Sequence, residues 1–131
     1  SQLMGSFLKT GLSVLTEFWH IGPMESLRQE LERLYASVCK GLADPKRLLI
    51  INILRDGEMS VTDIYELLEL PQSNVSQHLS ILKDKGLVTS RRDGQFMYYS
   101  LTSPKIVEAL DLLREVMTDQ IEGSSVSAAA S

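Results

Sequence analysis

Short polar side chains crowd one stretch of the sequence, and they are types that can bind the edges of nucleic-acid bases. Glutamine can form two hydrogen bonds to adenine, whereas serine and histidine form single bonds to bases or phosphates. The candidates for this role are Gln72, Ser73, Ser76, Gln77 and His78. A second group further along the chain offers contacts to phosphates or the minor groove, which position a protein more than they specify a base sequence. Its members are Arg91, Arg92 and Gln95.

The first group lies on a predicted helix from about Gln72 to Lys85, and a second short helix precedes it. Ser60-Val-Thr-Asp63 is a variant of the capping box that begins a helix, and Leu70-Pro71 ends that helix. The later helix has apolar side chains at the spacing of one buried face, namely Val75, Leu79 and Leu82. Two short helices joined by a tight turn indicate a helix-turn-helix, in which the second helix enters the major groove.

The second group surrounds a predicted β-hairpin directly behind the second helix. Leu87 to Ser90 and Phe96 to Leu101 have the composition of strands, and Asp93-Gly94 between them is typical of a type I′ turn. A hairpin in this place makes the predicted fold a winged helix-turn-helix, mainly α-helical with a small β-hairpin wing.

The remaining segments predict further helices around this unit. Residues 1–23 form an amphipathic N-terminal helix, whose apolar face would pack on the body, pair with its copy or lie on a membrane. Residues 24–122 form the winged domain, with helices at about 25–40, 46–55 and 104–121. Asp44-Pro45 begins the second of these helices, because Asp caps free N–H groups and Pro has no N–H to leave unpaired. Residues 123–131, rich in Ser and Ala, are expected to be disordered.

Charge and composition are compatible with a DNA-binding protein. The net charge is −4, yet the segment from Pro71 to Ser100 carries four basic and two acidic side chains. No apolar run reaches the roughly 20 residues that span a bilayer, so no membrane partner is expected. The single cysteine, Cys39, excludes an intrachain disulfide and indicates a reducing, cytoplasmic location. No nucleophile or phosphate-binding loop accompanies the acidic residues, so we do not expect an enzyme.

Three segments resemble successive motifs of the ArsR/SmtB family of winged-helix repressors. They read GLADPKRLLIINIL, VTDIYELLELPQSNVSQHLSILKDKGLV and SRRDGQFMYYSL. The resemblance implies a homodimer through the first and last helices, which binds an inverted-repeat operator in double-stranded DNA and is released by a small effector. The matching DNA-facing positions are Gln72, Ser73, Ser76, Gln77 and His78, with Arg92 and Gln95 in the wing.

The sequence departs from the family where many members bind metal. Ser60 and Thr62 stand where those members have a Cys-x-Cys pair, so no thiolate is offered there. The family's zinc positions on the last helix read Ser103, Lys105, Val116 and Asp119, and members that sense sulfur have a cysteine near the position of Asn52. We therefore predict no metal and no cofactor, and the effector stays unidentified.

Cys39 leaves two interpretations open. A cation next to a thiol, here Lys40, favours the reactive thiolate and would suit a redox-sensing repressor. A lone cysteine on a helix is otherwise a small buried hydrophobic residue.

An alternative function for the whole chain is a winged-helix module that binds a protein partner. The negative net charge and the apolar N-terminal helix favour this interpretation.

Overall fold

The structure is a computed structural model that describes residues 22–130, with side chains described as far as residue 121. The predicted N-terminal helix, residues 1–23, lies outside the described residues except for its last two positions. The chain divides into two compact units, Ser1–Lys40 and Gly41–Ser131. The domain boundaries after residues 23 and 122 stay a prediction.

Within the first unit, a helix begins at Pro23 as an α-helix and then continues as a π-helix. Helix α1 spans Pro23–Leu34, and a π-helical segment continues it over Tyr35–Cys39. A π-turn places hydrogen bonds from residue i to i+5, so it rotates later side chains away from the 3.6-residue spacing. The helix predicted over 25–40 is therefore present but not regular.

Helices α2, α3 and α4 surround the core of the second unit. They span Pro45–Ile53, Val61–Leu68 and Gln72–Asp84. Their fully buried side chains, with 0% exposed area, are Ile50, Ile51, Ile64, Val75, Leu79 and Leu82. Burial of each such side chain contributes roughly 1.5–3 kcal/mol relative to an exposed position. The core therefore fixes α4 along its whole inner face.

The predicted helix caps at α2 and α3 are confirmed. One carboxylate oxygen of Asp44 accepts hydrogen bonds from the backbone N–H groups of Lys46, at 2.8 Å, and Arg47, at 3.3 Å. The hydroxyl oxygen of Ser60 accepts from the backbone N–H of Asp63 at 3.1 Å. Each cap satisfies N–H groups that the first turn of a helix leaves without a partner.

Both helices of the helix-turn-helix end in the same backbone arrangement. After α4, Gly86 has φ 78°, and the N–H of Leu87 donates to the carbonyl of Leu82 at 2.9 Å. After α3, Glu69 takes the left-handed position with φ 54°, and the N–H of Leu70 donates to the carbonyl of Tyr65 at 3.2 Å. This is the Schellman motif, which usually has glycine at the left-handed residue. Glu69 therefore occupies a left-handed position that glycine would adopt with less steric cost.

A three-stranded antiparallel sheet forms the wing, in the order β1-β3-β2. Strands β2 and β3 span Val88–Asp93 and Phe96–Leu101. The two-residue strand β1, Met59–Ser60, pairs with β3 on the side opposite β2. Only β2 and β3 were predicted. A strand of two residues is too short to show alternation of apolar and polar side chains, which is the sequence signal for a strand.

The hairpin turn lies one residue later than predicted. Asp93 pairs with Phe96, so the two central residues of the turn are Gly94 and Gln95. Gly94 has φ 63°, whereas Gln95 is not among the residues with positive φ. Positive φ at the first central residue alone is the pattern of a type II′ turn, which needs only one glycine.

The last helix, α5, spans Lys105–Ala130 and so continues past the predicted end near residue 121. The carboxylate of Asp111 on α5 binds both terminal nitrogens of Arg55, which follows α2, at 2.8 and 3.2 Å. This pair connects α5 to the end of α2. Large apolar side chains nevertheless lie exposed along α5, namely Leu112, Leu113, Val116, Met117 and Ile121.

Candidate nucleic-acid interface

The outward face of α4 carries the polar side chains that the sequence singled out. Gln72, Ser73, Ser76 and Gln77 are all exposed, whereas the inner face of the same helix is completely buried. The residue before the helix, Pro71, provides no side-chain cap. The N–H of Asn74 donates to the carbonyl of Pro71 at 3.0 Å, which leaves the N–H groups of Gln72 and Ser73 for a phosphate oxygen.

His78 lies on a different side of α4 from these four residues. It is half-buried, and its Nδ1 atom lies 3.3 Å from Nη1 of Arg47 on α2. Arg47 in turn donates from Nε to the carbonyl oxygen of Gly41 at 2.7 Å. Because an arginine can only donate, Nδ1 of His78 can take part in this contact only as the acceptor. The contact joins the second helix of the helix-turn-helix to α2.

Arg91, on β2, is occupied by protein groups. Its Nε atom donates to Oε2 of Glu58 at 2.8 Å, and its Nη2 atom donates to the other carboxylate oxygen. The guanidinium carbon also lies 4.6 Å from the centre of the Tyr98 ring. The hydrogen bond from Arg91 outweighs partial desolvation and holds the pKa of the Glu58 carboxyl below its usual value of 4.5. Both members of the pair are therefore charged at neutral pH.

Arg92 and Gln95 present a different picture. Both are exposed, and Arg92 pairs across the sheet with Met97, on the opposite face from Arg91. Among residues 22–121, the Arg92 side chain forms no hydrogen bond or ion pair. The two adjacent arginines, grouped together by sequence, thus have separate surroundings.

The candidate thiol and the family's metal positions are also placed by the structure. Cys39 is exposed in the single chain, at the end of the π-helical segment. Ser60, which stands where some family members have a thiolate, is buried and caps α3. Within the part of the chain that is described, no three His, Cys, Asp or Glu residues converge on a common point.

Sequence reasoning missed Glu58, Tyr98 and Arg47 as partners of the candidate residues. Glu58 stands in a connection after Gly57, where no periodicity marks it. Its meeting with Arg91 depends on β1 joining the sheet, and a two-residue strand gives no sequence signal. An alternating pattern over β3 would have placed Tyr98 on one face of the sheet with Arg91, once the register was known.

Over residues 22–130, no helix combines the length and the apolar composition that are needed to cross a bilayer.

The comparisons with known proteins agree with this geometry. Residues 44–90 match the family model described as "Bacterial regulatory protein, arsR family". The transcriptional activator HlyU of Vibrio cholerae is 37% identical over 91 residues, which cover 67% of this chain and 84% of that protein. The transcriptional repressor SdpR of Bacillus subtilis is 35% identical over 75 residues, which cover 57% of this chain and 83% of that protein.

A solved structure extends the likeness to the fold. The homodimeric winged helix-turn-helix DNA-binding domain of Mb0332 from Mycobacterium bovis superposes with a TM-score of 0.63 at 28% identity. The match covers 79% of this chain and 92% of that one. The motifs, the order of the helices and strands, and these relatives lead to one conclusion: the chain belongs to the arsR family of bacterial regulatory proteins and is a DNA-binding transcription regulator of the winged helix-turn-helix type.

Proposed function

We propose that the protein is a homodimeric repressor that binds an inverted-repeat operator in double-stranded DNA and leaves it when an effector binds. The observation that carries the proposal is the division of α4 into two faces. Val75, Leu79 and Leu82 are fully buried, and the opposite face exposes four short polar side chains. A helix held in this way can present side chains to base edges at a fixed height and angle.

The roles of the exposed residues follow from their chemistry. Gln72 and Gln77 can each form paired hydrogen bonds to adenine, and Ser73 and Ser76 can bind a base or a phosphate. Arg92 and Gln95 at the wing supply contacts to phosphates or to the minor groove. His78 is placed to hold α4 against Arg47, so its contribution to DNA binding would be indirect.

The apolar surface supports the dimer. On α5, Leu112, Leu113, Val116 and Met117 expose between 53% and 64% of their area. Exposed apolar patches of this kind mark interaction surfaces. On α1, Met24, Leu31 and Leu34 are likewise exposed. A homodimer would have two α4 helices, which must enter successive major grooves about 34 Å apart.

Repression, and not activation, is proposed because it needs only that the protein occupy its promoter. The Bacillus relative is named a repressor and the Vibrio relative an activator, so the family name alone decides neither. A dimer that occupies a promoter blocks polymerase by its volume, with no further contact surface. Repression is thus the outcome that needs nothing beyond the described surfaces, and it would take place in the cytoplasm, with no catalytic activity.

Exposure of Cys39 favours a second candidate, in which the same repressor senses oxidants through its thiol. Exposed thiols are open to oxidation, and two copies in a dimer would supply two of them. Loss of DNA binding on oxidation that is absent in Cys39→Ser would establish this candidate.

Selection from a random pool of duplex DNA, with reduced protein at moderate salt, tests the proposal. We expect enrichment of an inverted repeat whose half-sites are one helical turn apart. The matched control is the double variant Gln72→Ala/Gln77→Ala, which should retain its fold and enrich no sequence. A reporter gene behind the selected operator then gives the sign of regulation. Failure of folded, dimeric wild-type protein to enrich any sequence would contradict the proposal and favour a module that binds a protein partner.

A further inference from the structure

Arg91 and Glu58 form a clamp across the three strands of the wing. Ser60 on β1, Tyr98 on β3 and Arg91 on β2 lie in one row of the sheet. The Arg91 side chain passes over the Tyr98 ring, 4.6 Å from its centre, and reaches Glu58, which immediately precedes β1. The clamp therefore joins the outer strand of the wing to the segment that leads into α3.

The chemistry of this clamp leaves little of Arg91 for DNA. Two of its nitrogens donate to the two carboxylate oxygens of Glu58, which is the paired geometry that gives arginine–carboxylate contacts their directionality. Oδ2 of Asp93 lies 3.9 Å from the remaining terminal nitrogen. A phosphate would have to displace a carboxylate that already neutralises the guanidinium.

The position of the clamp gives it an orienting role. Ser60, two residues after Glu58, caps α3, the first helix of the helix-turn-helix. On β2, the hydroxyl of Ser90, the residue before Arg91, accepts a hydrogen bond from Nζ of Lys83 on α4, at 2.8 Å. Strand β2 is thus connected by side chains to the start of α3 and to the end of α4. The angle between the wing and α4 decides whether both can contact one stretch of DNA.

We propose that Arg91 is a positioning residue and that Glu58, although acidic, raises DNA affinity by holding the wing at its binding angle. This inference rests on the proposed function, since it concerns how the same DNA-binding surface is oriented. It differs from the role expected from the sequence, in which Arg91 contacts DNA. It also separates Arg91 from its neighbour Arg92, which has the exposed position of a phosphate contact.

The decisive variant is Glu58→Gln, because simple electrostatics and the clamp predict opposite effects. Removal of a negative charge near DNA should strengthen binding if Arg91 is merely sequestered by Glu58. If the clamp orients the wing, affinity falls by about threefold per subunit, the size of a good surface ion pair. The dependence of affinity on salt should stay the same, because no phosphate contact is lost.

A charge exchange provides the second test. Arg91→Glu alone should weaken binding, and Glu58→Arg/Arg91→Glu should recover part of the loss by restoring an ion pair in the same place. Arg92→Ala is the matched control, and it should reduce the salt dependence of binding while Arg91→Ala leaves it nearly unchanged. Stronger binding by Glu58→Gln, equal salt effects of the two alanine variants, or no recovery in the exchange would overturn the proposal.

Amide hydrogen exchange keeps this test independent of DNA. In Glu58→Gln and Arg91→Ala, the amides of residues 88–96 should exchange faster, whereas those of α2 and α4 should not change. Unchanged wing exchange would refute the clamp even if the DNA experiments were not possible to interpret. Absence of DNA binding by the wild-type protein, together with faster wing exchange in the variants, would instead refute the proposed function and leave the clamp intact.

Discussion

Helix α4 and the wing together form the proposed DNA-binding surface, but different interactions hold them in place. The helix is anchored by three apolar side chains with no exposed area. The outer strand of the wing, β2, is exposed over much of its length, and side-chain contacts of Arg91 and Ser90 connect it to its surroundings. Burial of apolar side chains holds α4 even when surface residues are substituted. The side-chain contacts of β2 depend on the charge and geometry of the surface residues themselves.

This difference suggests that α4 recognises bases and that the wing contacts phosphates. A helix fixed by the core can discriminate between bases, because a hydrogen-bonded base contact tolerates little displacement. A wing fixed by surface contacts is suited to electrostatic contacts, since phosphates attract cations from a range of positions. Substitutions in the two regions should therefore have different effects on stability, base recognition and salt dependence.

Leu79→Ala should have the largest effect, because it removes a fully buried anchor of α4. We expect a loss of about 2–5 kcal/mol in the free energy of unfolding, measured by denaturant titration. Ser80→Ala, at the exposed neighbouring position, is the control and should change stability little. A small loss in Leu79→Ala would show that core burial does not fix the helix.

Gln77→Ala should change base recognition without changing the fold. Loss of a paired hydrogen bond to a base costs about 1–3 kcal/mol, so affinity for the selected operator should fall by that amount. Affinity for random DNA should hardly change. Gln120→Ala on α5 controls for a general effect of losing an exposed glutamine. Equal losses on operator and random DNA would remove Gln77 from base reading.

Arg92→Ala should weaken binding to every sequence alike. The slope of log affinity against log salt concentration should fall by about one per subunit, because one phosphate contact is lost. Arg33→Ala, in the first unit, is the control for loss of an exposed cation. A sequence-dependent loss would mean that the wing also reads bases.

Asp44→Asn should have the smallest effect, and one that depends on pH. Burial alone would raise the pKa of Asp44, but hydrogen bonds from the N–H groups of Lys46 and Arg47 outweigh it and lower the pKa below 3.8. A carboxyl whose pKa is lower in the folded state stabilises the protein at pH values above its unfolded-state pKa. This stabilisation is lost as the pH falls through the folded-state pKa.

Asparagine is an equally good helix cap, so the variant isolates the contribution of the charge. The midpoint of thermal unfolding should therefore be lower in Asp44→Asn at pH 7, and the difference should vanish at pH values below the folded-state pKa. A difference that stays constant with pH would show that the charge of Asp44 plays no part.

Much of the framework was predictable from sequence because local chemistry determines it. Asp44, Ser60 and Gly86 mark helix ends through contacts within a few residues, and the spacing of Val75, Leu79 and Leu82 defines a buried face. These signals are contained in short windows of sequence. They were sufficient to order the helices and the hairpin and to identify the outward face of α4.

The rest depends on contacts between distant residues. The pairing of Arg91 with Glu58 joins positions 33 apart in sequence, and the contact of His78 with Arg47 joins positions 31 apart. The π-helical segment and the left-handed Glu69 also depart from the regular helix and the glycine that sequence patterns lead one to expect at these places. Sequence therefore identified the outward face of α4, but it gave no sign that Arg91 and His78 have partners within the chain.

The exposed apolar stripe on α5 has a consequence for gene dosage. If a second copy must cover the stripe before two α4 helices can reach one operator, the active species forms in proportion to the square of chain concentration when dimers are scarce. Doubling expression would then raise the amount of active regulator about fourfold. A regulator of this design would respond more than proportionally to its own synthesis and dilution.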